Sequence, residues 1–105
     1  VVFGLDGDAL CFSRHPLPYT RGVDRSRWLD TTDYYQHVGL YAYRADTLRA
    51  IAALPEGRLE RAESLEQLRW LENGYHIRVA VTDSGDAIGI DTPNDLLNLP
   101  EELLR

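Results

Sequence analysis

Gly89-Ile90-Asp91-Thr92-Pro93-Asn94-Asp95-Leu96 constrains this chain most, because it sets an apolar strand end, an acidic side chain and a helix start side by side. Ala87 to Ile90 is short, small and apolar, as a strand end is. Thr92 is a good N-cap, Pro93 suits the first helical position where no backbone N–H is needed, and Asp95 carries the charge favoured in a first turn. A helix is therefore expected from Pro93 to Leu104, with Pro100 as a point of interruption. Asp91 then lies just beyond the carboxyl end of a strand and just before a helix, the edge of an α/β sheet at which ligands bind. Two readings of Asp91 stay open on these residues: a carboxylate for a divalent metal or a sugar hydroxyl, or a cap on the helix.

The chain has 105 residues, 44% hydrophobic and 27% charged, which is the size and composition of one globular domain with one core. No apolar run is long enough to cross a membrane and no signal peptide is evident, so a cytoplasmic location and no membrane partner are expected. The lone Cys11 cannot form an internal disulfide, fits a reducing compartment and reads as a small core residue. A formal charge of −6 argues against nucleic acid as a partner. All 11 basic residues are arginines. Schiff-base and P-loop lysine chemistry are therefore excluded for this stretch. Arginine suits carboxylates and phosphates instead. The chain opens directly on a strand-like Val1-Val2-Phe3, as a piece of something longer would.

Val1–Gly4 and Ala9–Ser13 are apolar runs separated by Leu5-Asp6-Gly7-Asp8, a strong β-hairpin signal. The ligand spacing of an EF-hand is absent from it. Arg14 follows the second strand and precedes His15-Pro16-Leu17-Pro18-Tyr19, which two prolines keep extended. Thr20 to Asp33 shows no sustained period and reads as a long connection. With Tyr19, Trp28, Tyr34 and Tyr35 it offers the amphipathic rings of a subunit contact, or a cover for the chain's own core. Gln36 to Arg44 alternates as a strand, with Val38, Leu40 and Ala42 on the core face and His37, Gly39, Tyr41 and Tyr43 on a face suited to a ligand wall. His37 alone fits a structural histidine equally well.

Asp46 to Leu54 reads as a helix with Leu48, Ile51 and Ala52 inward and Pro55 as its stop. Ala62 to Asn73 reads as another, ended by Gly74 at C′. Leu65, Leu68 and Leu71 form one of its sides. Glu63, Glu66, Gln67 and Trp70 form another, and the tryptophan makes that side a covered polar surface unless Ser64 and Gln67 are merely a capping box. His76 to Thr82 alternates as a further strand with Ile77, Val79 and Val81 on one face, before a turn at 83–86.

Phe12-Ser13-Arg14, His37-Val38-Gly39-Leu40-Tyr41-Ala42-Tyr43-Arg44, Glu63-Ser64-Leu65-Glu66-Gln67-Leu68-Arg69 and Gly89-Ile90-Asp91-Thr92-Pro93 occur in this order. Together they closely resemble the C-terminal half of the 3-deoxy-manno-octulosonate (Kdo) cytidylyltransferases, the CMP-Kdo synthetase family. The resemblance covers nearly the whole chain. It implies an α/β chain that is part of a GT-A-like (nucleotide-diphospho-sugar transferase) mixed-sheet fold, with a β-hairpin and a dimerisation segment. Residues 1–105 would be the C-terminal, sugar-acid-binding portion of a single cytidylyltransferase domain whose CTP-binding half is absent, so that the piece alone would be inactive. The implied enzyme is cytoplasmic and magnesium-dependent, and joins CMP from CTP to Kdo for lipopolysaccharide synthesis. By position, Asp91 matches a catalytic magnesium ligand, and Arg14, His37, Tyr41, Glu63 and Gln67 match sugar-binding positions. Residues 16–35 match the segment that pairs subunits into a homodimer. The alternatives are a cytidylyltransferase for another sugar acid such as N-acetylneuraminate, and a non-catalytic sugar-acid-binding and dimerisation module.

Overall fold

The computed structural model describes residues 1–83 and 92–97. Its elements, in order, are β1 (Val2–Phe3), β2 (Ala9–Cys11), a 3-10 helix (Arg25–Asp30), α1 (Ala45–Ala52), α2 (Arg58–Glu63), α3 (Gln67–Glu72) and α4 (Pro93–Leu97). The strand expected at Ala87–Ile90, Asp91 and the helix beyond Leu97 lie outside the described residues.

β1 and β2 pair antiparallel with Val2 opposite Cys11 and Phe3 opposite Ala9, a register that shifts by one residue and leaves Leu10 exposed. The intervening turn closes through Gly4 N to Asp8 O and Gly7 N to Gly4 O, both 2.9 Å, with Gly7 at φ +88°. A side chain would be strained there. Asp6 Oδ1 accepts the Asp8 N–H at 3.0 Å, the local bond that makes aspartate a turn residue. Cys11 is half-buried, not fully enclosed as expected.

The stretch His76–Thr82 does not form the expected strand. It makes a single antiparallel bridge, Arg78 opposite Asp8, with Ala9 N donating to Ile77 O at 2.8 Å and Val79 N to Gly7 O at 2.9 Å. The Asp8 carboxylate reinforces the bridge, accepting from Arg78 Nε at 2.8 Å beside His76 Nδ1 at 3.2 Å.

Gln36–Arg44 likewise forms no strand, and the face expected in the core is exposed. A strand exists by pairing, and among the described residues 36–44 has no ladder partner; a local bond from Leu40 N to Val38 O at 2.8 Å pinches the backbone instead. Val38 and Leu40, expected in the core, are 42% and 86% exposed. His37 and Tyr41 are the half-buried side chains of the stretch, His37 edge-on to Phe12 at 5.1 Å and Tyr41 edge-on to Trp70 at 5.4 Å, while Tyr43 meets Trp70 at 5.5 Å and stays 40% exposed. The buried apolar side chains among the described residues are Phe12, Ile51, Leu68 and Trp70. The radius of gyration is 16.4 Å, against about 13 Å for a compact domain of about 100 residues.

α1 starts and stops close to expectation, but its inward stripe narrows to Ile51, with Thr47 half-buried and Leu48 and Ala52 exposed. The helix expected over Ala62–Asn73 is divided into α2 and α3 at Ser64, which takes a left-handed conformation at φ 53°. The Arg14 side chain explains the break. Its Nε donates to Glu63 O at 2.6 Å and its Nη2 to Ser64 O at 2.8 Å, carbonyls that a continuous helix would give to the N–H groups one turn on.

Ser64 and Gln67 therefore form no capping box. Acidic side chains cap α2 instead: Glu60 Oε2 accepts from Gly57 N at 3.0 Å, and Glu72 on α3 accepts from Arg58 N and Leu59 N, each at 3.0 Å. A Cβ at Gly57 would overlap the Glu72 carboxylate, which would have to shift from its place on Arg58 N and Leu59 N, while the α3 backbone itself leaves room for it. Arg69 adds a two-pronged pair to Glu60, Nη2 to Oε1 at 2.6 Å and Nε to Oε2 at 2.7 Å, and reaches Leu54 O with Nη1 at 3.1 Å. α2 and α3 are thereby locked as one antiparallel unit whose inner face carries Gln67, Leu68 and Trp70. Gly74, at φ +82°, ends α3 as expected.

Candidate functional site

Arg14, His37 and Gln67 line one cavity of about 530 Å³, with Phe12, Ser13 and Leu65. Tyr41 lies in an adjoining trough of about 2130 Å³ that shares Phe12 and His37 with it and continues past Tyr43 and Trp70. Four of the six expected site residues are thus brought to two connected spaces. Glu63 stands behind Arg14 and lines neither, and Asp91 lies outside the described residues.

Each element places its side chain for a local reason. β2 ends at Cys11, so Phe12 turns into the core and Arg14 emerges at the start of the proline-stiffened segment. His37 and Tyr41 are joined by a hydrogen bond between Nε2 and Oη, four residues apart in irregular backbone. Burial pushes the His37 imidazole below its ordinary value, and burial together with Tyr43 and Glu66 pushes the Tyr41 phenol up to about 12. Both rings are therefore neutral at neutral pH, and offer hydrogen bonds without charge. Arg14 supplies the positive charge.

Gln67 is 5% exposed, and its Nε2 is buried with no hydrogen-bond partner among the described residues. A buried amide donor left unmade costs about 1–3 kcal/mol, so the site calls for an acceptor from outside the described residues. The covered polar surface expected from Trp70 beside Gln67 is present. Glu66 on that side is exposed.

The Glu63 carboxylate takes Ser13 Oγ on Oε1 at 2.8 Å and Arg14 N on Oε2 at 3.0 Å. These donors hold its carboxyl below the ordinary range, the Arg14 backbone N–H first and the Ser13 hydroxyl second. Ser13 is the residue that reading along the sequence overlooks. Its only local signal is a hydroxyl beside Arg14 at a strand end, and its partner is 50 positions away.

Residues 16–35 fold around their own aromatic rings. Trp28 stacks on Tyr34 with centroids 6.2 Å apart, Tyr19 meets Trp28 edge-on at 5.4 Å, and Tyr34 Oη donates to Pro18 O at 2.6 Å. Tyr19 and Leu29 remain 74% and 78% exposed on this segment.

Against known proteins, residues 1–79 match the model of the cytidylyltransferase family. The 3-deoxy-manno-octulosonate cytidylyltransferase of Phocaeicola vulgatus is 56% identical over 96 residues, covering 91% of this chain and 38% of the relative. The enzyme of that name from Bacteroides thetaiotaomicron is 53% identical over 103 residues, covering 98% of this chain and 41% of the relative. The solved structure of a CMP:2-keto-3-deoxy-manno-octonic acid synthetase complexed with CTP aligns with a TM-score of 0.69 at 45% identity, over 92% of this chain and 37% of its own. The chain thus spans about two fifths of the length of the curated relatives it matches. On the match across residues 1–79, this chain belongs to the cytidylyltransferase family.

Proposed function

We propose that the protein to which this chain belongs activates Kdo by transferring CMP to it from CTP, releasing pyrophosphate. The observation that carries this reading is the cavity of about 530 Å³ lined by Arg14, His37 and Gln67, whose amide Nε2 has no hydrogen-bond partner among the described residues. These groups are the donors an acidic sugar needs: a cation for its carboxylate and neutral groups for its hydroxyls. Tyr41 extends that set through its bond to His37. The names of the relatives, and the CTP bound in the solved structure, support the other half of the reaction. A sugar hydroxyl attacks the α-phosphorus of CTP, the new O–P bond replaces the one to pyrophosphate, and the hydroxyl proton is released. Pyrophosphate release by the full-length protein, measured with CTP and either Kdo or N-acetylneuraminate, tests it. Turnover with Kdo is expected, and preference for N-acetylneuraminate would overturn the reading.

In this reading the chain is the C-terminal, sugar-binding portion of a single GT-A-like cytidylyltransferase domain, and the β1–β2 hairpin delivers Arg14 to its sugar pocket. The reaction belongs in the cytoplasm, where CTP is at hand, and its product serves lipopolysaccharide synthesis. Magnesium enters through Asp91, whose carboxylate suits a hard cation. Among the described residues no three His, Cys, Asp or Glu side chains gather to hold an ion. Residues 16–35 pair two copies of the protein through the exposed Tyr19 and Leu29 beside the Trp28 stack. Sedimentation of the full-length protein is expected to give a dimer that Tyr19→Glu dissociates; a monomer before substitution would count against the pairing.

A further inference from the structure

We infer that Glu63 is a positioning residue for Arg14: its carboxylate fixes the backbone at Ser13-Arg14 from behind, and the guanidinium alone meets the sugar acid. The inference rests on the proposed sugar-acid pocket and concerns how that pocket is held in shape. Both Glu63 oxygens are engaged by the chain itself, Oε1 by the Ser13 hydroxyl at 2.8 Å and Oε2 by the Arg14 N–H at 3.0 Å. Neither oxygen faces the cavity that Arg14, His37 and Gln67 line. The main chain of Glu63 and Ser64 grips the other end of Arg14. Nε is held by Glu63 O at 2.6 Å and Nη2 by Ser64 O at 2.8 Å, while Nη1 has no partner among the described residues.

Arg14 is therefore fixed at its backbone and at its guanidinium by 63–64, and Nη1 is left to donate elsewhere. Ser13 completes the clamp, since its Oγ also accepts the His15 N–H at 3.0 Å and so ties the next residue to the same carboxylate. A long side chain on an irregular segment otherwise samples many rotamers, and each one lost on binding weakens the complex. The depressed Glu63 carboxyl agrees with this placement, because it is the Arg14 N–H and the Ser13 hydroxyl that keep it ionised.

The test is a double-mutant cycle in the full-length protein, read as KM for Kdo, KM for CTP and kcat. Arg14→Ala is expected to raise the Kdo KM by about thirtyfold, the loss of a charge-assisted contact. Glu63→Gln, whose amide cannot accept from both donors, is expected to raise it by about tenfold with the CTP KM unmoved. The combined variant is expected to be no worse than Arg14→Ala. Ser13→Ala, which removes one clamp donor and leaves every charge in place, is expected to give a smaller rise in the Kdo KM. It also stands in if Glu63→Gln does not fold. Additive losses in the combined variant would overturn the inference by making Glu63 an independent sugar contact. A lower melting temperature with an unchanged Kdo KM in Glu63→Gln and Ser13→Ala would overturn it by making the clamp mere scaffold. If Arg14→Ala itself leaves the Kdo KM unmoved, the pocket assignment fails and the inference falls with it.

Discussion

Asp91→Asn in the full-length protein is expected to lower turnover by at least about a hundredfold, roughly 2.7 kcal/mol of transition-state stabilisation, with the melting temperature little changed. The two readings of this residue part sharply here. Asparagine caps a helix as well as aspartate does, so a capping Asp91 makes the substitution nearly silent. A magnesium ligand loses a charged oxygen from a hard cation that prefers carboxylates. The variant's turnover should then also need more magnesium to saturate. Pyrophosphate release is the measurement, and a near-normal rate at saturating magnesium would leave Asp91 as a cap.

Gln67→Met should separate binding from stability in the opposite direction. Methionine keeps the length and flexibility of the side chain, fills the same space beside Leu68 and Trp70, and removes a buried amide that has no partner among the described residues. Relieving that unmade bond should leave the melting temperature unchanged or raise it. Loss of the amide should meanwhile raise the Kdo KM by about tenfold or more, because a site built around a hydrogen bond suffers when the bond is lost. Thermal unfolding and steady-state kinetics on one preparation test both halves. A lower melting temperature with unchanged Kdo KM would make Gln67 an ordinary core residue.

What could be read from the sequence was local. The Pro55 stop to α1 and the Gly74 end to α3 follow from the geometry of single residues, and both are where the chain order put them. The burial of Gln67 and Trp70 on one face was legible because a tryptophan among glutamates has no reason to face water. The misses are all long-range. Alternation at Gln36–Arg44 reports two faces, but it does not report whether another strand is present to accept the backbone bonds or which face will be covered. The break at Ser64 is set by Arg14, 50 residues earlier, and nothing in Glu63-Ser64-Leu65 announces it. The bonds of the Glu63 oxygens to Ser13 and Arg14 are likewise invisible along the chain, since those partners lie about 50 residues away.

The grip on the Arg14 guanidinium has a consequence for which sequences can carry this site. Its two acceptors at 63 and 64 are main-chain oxygens, which every amino acid possesses, so drift in the side chain at 64 does not erase them. The restriction at 64 falls on backbone shape. A library randomised there and selected for activity should return glycine and asparagine readily, since both accept the left-handed conformation, and should reject valine and isoleucine, which resist it. Tolerance at that position is set by a torsion angle, and the chemistry of the arginine anchor passes through substitutions unaltered so long as the angle is kept.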